Sequence, residues 1–161
     1  MNQFYPYQEL SKEQFLQQAL HWASTQSHFS LHLNNQISYP HNGFDELLAV
    51  GAKQVMCENA GSVFQSLKNL HQNEWLFGYL GYDLKNELEK LESRNADYVG
   101  FPDASLFQPE HIIHFEKNGV TVESDQSDLV EEILQHKPKP ASSQFGPSTA
   151  SVSKEEYISH V

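Results

Sequence analysis

The chain has 161 residues, 39% of them hydrophobic and 12% aromatic, enough for one ordinary domain with a core and too few for two. With 21 acidic against 10 basic residues its formal charge is −11, a field that repels phosphate backbones and anionic lipid and argues against nucleic acid or a membrane as partner. No stretch approaches the roughly 18 consecutive apolar residues of a membrane span. The start MNQFYPYQEL has no basic and apolar signal region, and Cys57 is the single cysteine, so a reducing cytoplasm is the expected location.

Residues 11–24 predict a helix. Ser11 and Gln14 form a capping box, and Phe15, Leu16, Ala19, Leu20 and Ala23 recur at helical spacing. In FSLHL, Phe29, Leu31 and Leu33 alternate with Ser30 and His32, the period-two pattern of a half-buried strand. Asn34-Asn35 predicts a turn into a second short alternation at Ile37 and Tyr39, and the PHNG of residues 40–43 predicts another turn. FDELLAVGAKQVMC, residues 44–57, suits either a buried strand or helix, and its pattern favours strands broken near Gly51.

Val63, Phe64, Leu67 and Leu70 mark a helix, and EWLFGYLGYD predicts an aromatic strand running into a helix DLKNELEKL. HIIHFEKNGVTVES holds two alternating runs around Asn118-Gly119, the strongest hairpin signal in the chain. Leu129, Val130, Ile133 and Leu134 predict one more helix. Residues 137–150, KPKPASSQFGPSTA, are rich in Pro, Ser and Thr and poor in apolar residues, the composition of an exposed linker. After them SVSKEEYISHV opens with a Ser153/Glu156 capping box and the beginning of an apolar stripe at Tyr157, Ile158 and Val161. The expected organisation is an α+β domain over 1–136, a linker over 137–150, and at 151–161 the first helix of something further.

The chemistry-bearing residues form no obvious constellation. His111 and His114 are three apart on a predicted strand and so point to opposite faces, which argues against a shared metal. Cys57 is followed directly by Glu58 and has no base beside it, so a buried or idle thiol is expected. Asp83 and Glu87 have the spacing of a helical carboxylate pair. A helix-dipole role for Asp83 on a solvated helix accounts for that spacing more simply. Gly78 and Gly81 lack the remainder of a phosphate-binding signature, so close backbone packing at a strand end is the expected reason for them.

WLFGYLGYDLKNELEKL followed by GFPDASLFQPEHIIHF resembles the N-terminal region of the chorismate-utilising component I enzymes. In that family a glycine-bearing segment ending in Gly-Tyr-Asp, a short acidic helix, a Pro-Asp step and an aromatic strand come in this order. The resemblance extends from about Phe29 to Val161, with SVSKEEYISHV similar to the start of the catalytic domain. It implies an α+β fold of antiparallel β-sheets packed together with peripheral helices. Within the family the compact N-terminal region and the wording GYDLKNELEKL are closer to aminodeoxychorismate synthase component I, of 4-aminobenzoate and folate biosynthesis, than to anthranilate synthase component I.

The resemblance further implies chorismate and ammonia as substrates, a glutamine amidotransferase subunit as partner and Mg²⁺ as cofactor. It puts the catalytic and metal-binding residues beyond Val161, so no catalytic position and no activity are expected within these residues. Relatives carry a tryptophan effector pocket built partly on a Leu-Leu-(Glu/His)-Ser stretch, which aligns with Leu31-His32-Leu33-Asn34. Leu33 and Asn34 are thereby the effector-pocket candidates. Asn34 replaces the motif serine and Gly43 stands where arginine is common, departures that weigh against tryptophan binding. A stand-alone module that senses an amino acid or similar molecule is the alternative from another class.

Overall fold

The computed structural model describes residues 2–7, 9–35, 37, 45–70, 74–89, 91, 97–136, 146–147, 150 and 152–159. The predicted turn at 40–43, the strand position Tyr39 and most of the predicted linker lie outside the described residues. The architecture is α+β. One antiparallel sheet holds β1 (Asn2–Pro6), β2 (Phe29–His32), β3 (Leu47–Val50), β7 (His111–Phe115) and β8 (Gly119–Glu123), in the order β1-β8-β7-β3-β2. A second antiparallel sheet has the order β4-β6-β5, from β4 (Gln54–Glu58), β5 (Phe77–Leu80) and β6 (Ala104–Gln108).

Side-chain alternation divides the interior into three layers. Leu48, Val50, Ile113, Phe115, Val120 and Val122 point from the larger sheet onto α1 (Lys12–Ala23) and α3 (Leu129–Gln135), which contribute Phe15, Ala19, Trp22, Leu129 and Ile133. The opposite face presents Leu47, Ala49 and Ile112 to Phe77 and Phe107 of the smaller sheet. Met56, Ala104 and Leu106 on that sheet's other side pack with Val63 and Leu70 of α2 (Val63–Leu70) and with Leu84. The order is thus helices, sheet, sheet, helix.

Helix α1 begins as its sequence predicts: Ser11 Oγ accepts from the Gln14 N–H at 3.2 Å, and Gln14 Oε1 accepts from the Ser11 N–H at 2.8 Å. The hairpin at Asn118-Gly119 closes with the Glu116 N–H donating to Gly119 O at 2.9 Å. Gly119 has a second use, because a Cβ there would lie 2.2 Å from Tyr5 O. Its missing side chain lets β1 approach β8, pairing Pro6 with Gly119.

Two expectations need correction. Of the predicted DLKNELEKL helix, residues 83–91, only 83–87 are helical among the described residues, as part of a 3₁₀ turn, Tyr82–Glu87, with Leu84 as its buried residue. One buried side chain per turn gives too little apolar area to hold a longer helix on the sheet. Strand β2 ends at His32, so Leu33 is half-buried beyond the strand, and the strand does not include it. The capped helix α4 (Lys154–Ser159) does form, with Ser153 and Glu156 exchanging the two capping bonds at 2.8 and 3.2 Å, and its Tyr157 and Ile158 are exposed. Among the described residues no helix is long and apolar enough to cross a membrane.

Candidate functional site

The effector-pocket candidates follow β2 directly. Asn35 has φ 51°, the left-handed backbone that asparagine tolerates, and the Ile37 N–H donates to Asn34 O at 3.0 Å. This is the turn predicted for Asn34-Asn35. The Asn34 N–H donates to Glu46 Oε1 at 3.2 Å, while Glu46 Oε2 receives the Lys12 ammonium. One carboxylate therefore ties the start of α1 to the turn after β2. The Lys12 hydrogen bond holds Glu46 below its ordinary pKa, and the Asn34 N–H acts in the same direction.

Beside this turn, between the two sheets, lies an open pocket of about 280 Å³. Its walls come from His32, Leu47, Trp75, Leu76, Phe77 and Gly78, with Asp45 adding one carboxylate. The Trp75 and Phe77 rings stack with centroids 5.9 Å apart, and His32 lies 5.6 Å from Phe77. Ser30 Oγ is 2.9 Å from His32 Nε2. Aromatic faces beside one carboxylate suit a ligand with an apolar body and a cationic group. Leu33 and Asn34 are not among the pocket walls. Sequence reasoning missed Asp45, Trp75 and Phe77. The usable signal was that Trp75 and Phe77, two apart in the predicted strand EWLFGYLGYD, would share one face of it.

The remaining sequence candidates are dispersed. His111 Nδ1 is 2.8 Å from Ser124 Oγ and its ring lies 6.2 Å from Trp22, and burial pushes its imidazole below the ordinary histidine pKa. His114 Nε2 meets Glu123 Oε1 at 2.8 Å, and strand alternation puts it on the opposite face from His111. Cys57 is an exposed residue of β4, which excludes the buried form of the idle-thiol expectation.

Asp83 pairs with Lys85 at 2.5 Å, whereas Glu87 turns to the start of α2, so the two carboxylates have separate partners. The glycine expectation is met. A Cβ on Gly78 would fall 2.0 Å from Ser105 O, and the Gly81 N–H donates to Asp103 O at 2.6 Å. Both glycines bring β5 close to β6.

Among the described residues no group of three His, Cys, Asp or Glu side chains is placed to hold a metal ion. The described residues therefore offer no three-ligand site for the Mg²⁺ that the resemblance implies. No protein-family model matches the chain, and no curated protein matches it.

Proposed function

We propose that the chain is the N-terminal domain of an aminodeoxychorismate synthase component I, whose whole protein replaces the 4-hydroxyl of chorismate with an amine. The observation that best supports this reading is how the two motif stretches meet. FGYL of the first and ASLF of the second pair as β5 and β6, from Phe77↔Phe107 to Leu80↔Ala104. The glycines of the first stretch lie against the backbone of Ser105 and Asp103. The two segments that carry the resemblance are one packing unit, and the α+β arrangement of two stacked antiparallel sheets agrees with the fold implied.

On this reading the domain braces a catalytic domain continuing past Val161, which carries the chorismate site and its Mg²⁺, and it presents surface to a glutamine amidotransferase. The cytoplasm is the corresponding location. The test is amination of chorismate by the intact reading frame with ammonia and Mg²⁺, with products identified by mass and the 161-residue chain as control. Aminodeoxychorismate from the intact protein and none from the control supports the proposal. Anthranilate would move the assignment to the tryptophan branch, and no product from an intact frame would overturn it.

The pocket at Trp75 favours one second reading, a small-molecule-binding module that takes an amino acid or amine. Titrating Trp75 fluorescence with tryptophan and other amino acids separates the two. Saturable binding together with failed amination would select the module.

A further inference from the structure

On the helix side of the larger sheet, the end of β1, α1 and α3 border an open cleft of about 730 Å³, against about 280 Å³ for the pocket at Trp75. That volume falls in the range of about 300–1,000 Å³ usual for small-molecule sites. Buried Phe15, Val120 and Val130 and half-buried Tyr5, Tyr7 and Leu134 line it. The two cavities are on opposite faces of the larger sheet, because Val120 faces the helices whereas Leu47 faces the smaller sheet.

The sides of the cleft are tied in place by hydrogen bonds between segments far apart in the chain. Tyr5 donates its hydroxyl to Ser127 O at 3.2 Å, and Tyr7 donates to Glu116 O at 3.0 Å. Gln18 Nε2 donates to Leu134 O at 2.6 Å and to His136 O at 3.3 Å, which holds the last turn of α3 against α1. Both tyrosine hydroxyls are thus spent on backbone, and what the tyrosines offer the cleft is ring surface. The Tyr7 ring is itself set against Phe15, centroids 5.7 Å apart. A cavity with sides fixed in this way does not have to be ordered by its ligand, so less of the binding energy is lost.

Charge selects the ligand. The charged residues lining the cleft are Glu9 and Glu131, with no lysine, arginine or histidine beside them in the lining. Neither carboxylate has a salt-bridge partner among the described residues. Tyr7 reports the same negative field: burial, then the charges of Glu116, Glu13 and Glu46, push its phenol up to about 12. We propose that this cleft binds a small organic cation with a broad apolar body, an aromatic or aliphatic amine. Its apolar part packs on Phe15, Val120 and Val130, and its ammonium group is held by Glu9 and Glu131 and by the tyrosine rings. The chain's own α4 is a poorer occupant, because Glu155 and Glu156 in its first turn would meet like charges, and its Tyr157 and Ile158 are exposed. The site is distinct from the pocket at Trp75 and independent of the chorismate reading.

The test titrates the 161-residue chain with aminomethylanthracene, an ammonium ion at neutral pH, and with two probes on the same ring system, neutral anthracenemethanol and anionic anthracenecarboxylate. Methyl NMR locates the site. The expected result is saturable shifts of the Val120, Val130 and Leu134 methyl signals, with the ammonium bound roughly tenfold more tightly than the alcohol at low salt. That preference should shrink as salt rises, and the carboxylate should bind most weakly. Replacing both exposed carboxylates, Glu9→Gln with Glu131→Gln, should bring the ammonium down to the affinity of the alcohol at an unchanged melting temperature. Equal affinity of the three probes, or an ammonium preference that survives in the double variant, overturns the proposal. So does the absence of saturation at millimolar probe, or shifts confined to Leu47 and Leu76 of the pocket at Trp75. Contacts between the Ile158 and Leu134 methyls in the free chain would assign the cleft to α4, and concentration-dependent shifts of the same signals would assign it to a second copy, each overturning the proposal.

Discussion

Glu87, in the 3₁₀ turn, caps α2 from 24 residues away: its Oε1 accepts the Val63 N–H at 2.8 Å. The same oxygen accepts the Gly61 N–H at 2.6 Å, and Oε2 accepts the Phe64 N–H at 3.3 Å. A distant carboxylate thus supplies acceptors that the first N–H groups of α2 need. The link also fastens the 3₁₀ turn to α2 over the Leu84 and Val63 cluster.

The Gly61 N–H, then those of Val63 and Phe64, hold the Glu87 carboxyl below its ordinary pKa of 4.5. A carboxylate depressed in the folded state stabilises it fully above the unfolded value and ceases to do so as pH falls through the lower folded value. Glu87→Gln should therefore remove part of the acid sensitivity of stability below about pH 4.5. At pH 7 it should lower the melting temperature by a few degrees, with faster amide exchange confined to the first turn of α2. Urea melts at pH 3 and pH 7 together with hydrogen exchange check this. An unchanged acid limb would refute the capping role.

Gly78→Ala tests the packing of the two motif strands. Gly78 has φ 142°, outside the range L-residues readily adopt, and the new methyl would meet the Ser105 carbonyl oxygen rather than a movable side chain. Backbone strain and overlap together predict a loss of about 3 kcal/mol or more, measured by chemical denaturation. Loss of less than about 1 kcal/mol would mean that β5 and β6 can separate freely, and the close approach would then not be a constraint.

Ile113 is fully buried at the centre of the larger sheet, opposite Leu48 on β3 and Val122 on β8. Ile113→Val should cost about 0.5–1.5 kcal/mol and Ile113→Ala about 2–5 kcal/mol, the larger value reflecting a cavity that close-packed neighbours do not fill. A cost for alanine near that for valine would indicate that α1 and α3 settle onto the sheet, which denaturation of both variants would reveal.

The elements legible in the sequence were those whose signals are local. Ser11 and Gln14 announce α1 by a cap that needs no other part of the chain, and Asn118-Gly119 announces the β7–β8 hairpin. Strand β1 was not legible, because it is held by backbone pairing with β8 and its residues are mostly exposed, leaving no alternation to read. Strand β6 was expected only through the resemblance. Its Ala104, Leu106 and Phe107 are buried on both faces, so a period of two does not stand out. The pocket was illegible for a similar reason: His32, Asp45 and Trp75 meet only once the two sheets are stacked. Glu87 was expected on the solvated face of a helix, since spacing along one element cannot reveal an acceptor used by another.

Glu46 offers the sharpest test of how the turn after β2 is held. It joins Lys12 at the start of α1 to the backbone of Asn34, and both side chains of the ion pair are partly accessible. A partly exposed pair of this kind contributes less than about 1 kcal/mol to global stability, so its expected effect is local. Glu46→Ala should leave the melting temperature within a few degrees of the wild type while raising the exchange rate of the Asn34 amide several-fold. Lys12→Met, which removes the ammonium but leaves the carboxylate, should retain most of that protection, because the Glu46–Asn34 bond survives. Its Glu46 should titrate closer to the ordinary carboxylate value, since the Lys12 hydrogen bond is the largest cause of the depression. Side-chain carboxyl NMR titration and amide exchange on the two variants separate these effects. Equal exchange in the wild type and Glu46→Ala would mean that the turn is held by Asn35's left-handed backbone and the Ile37-to-Asn34 bond alone.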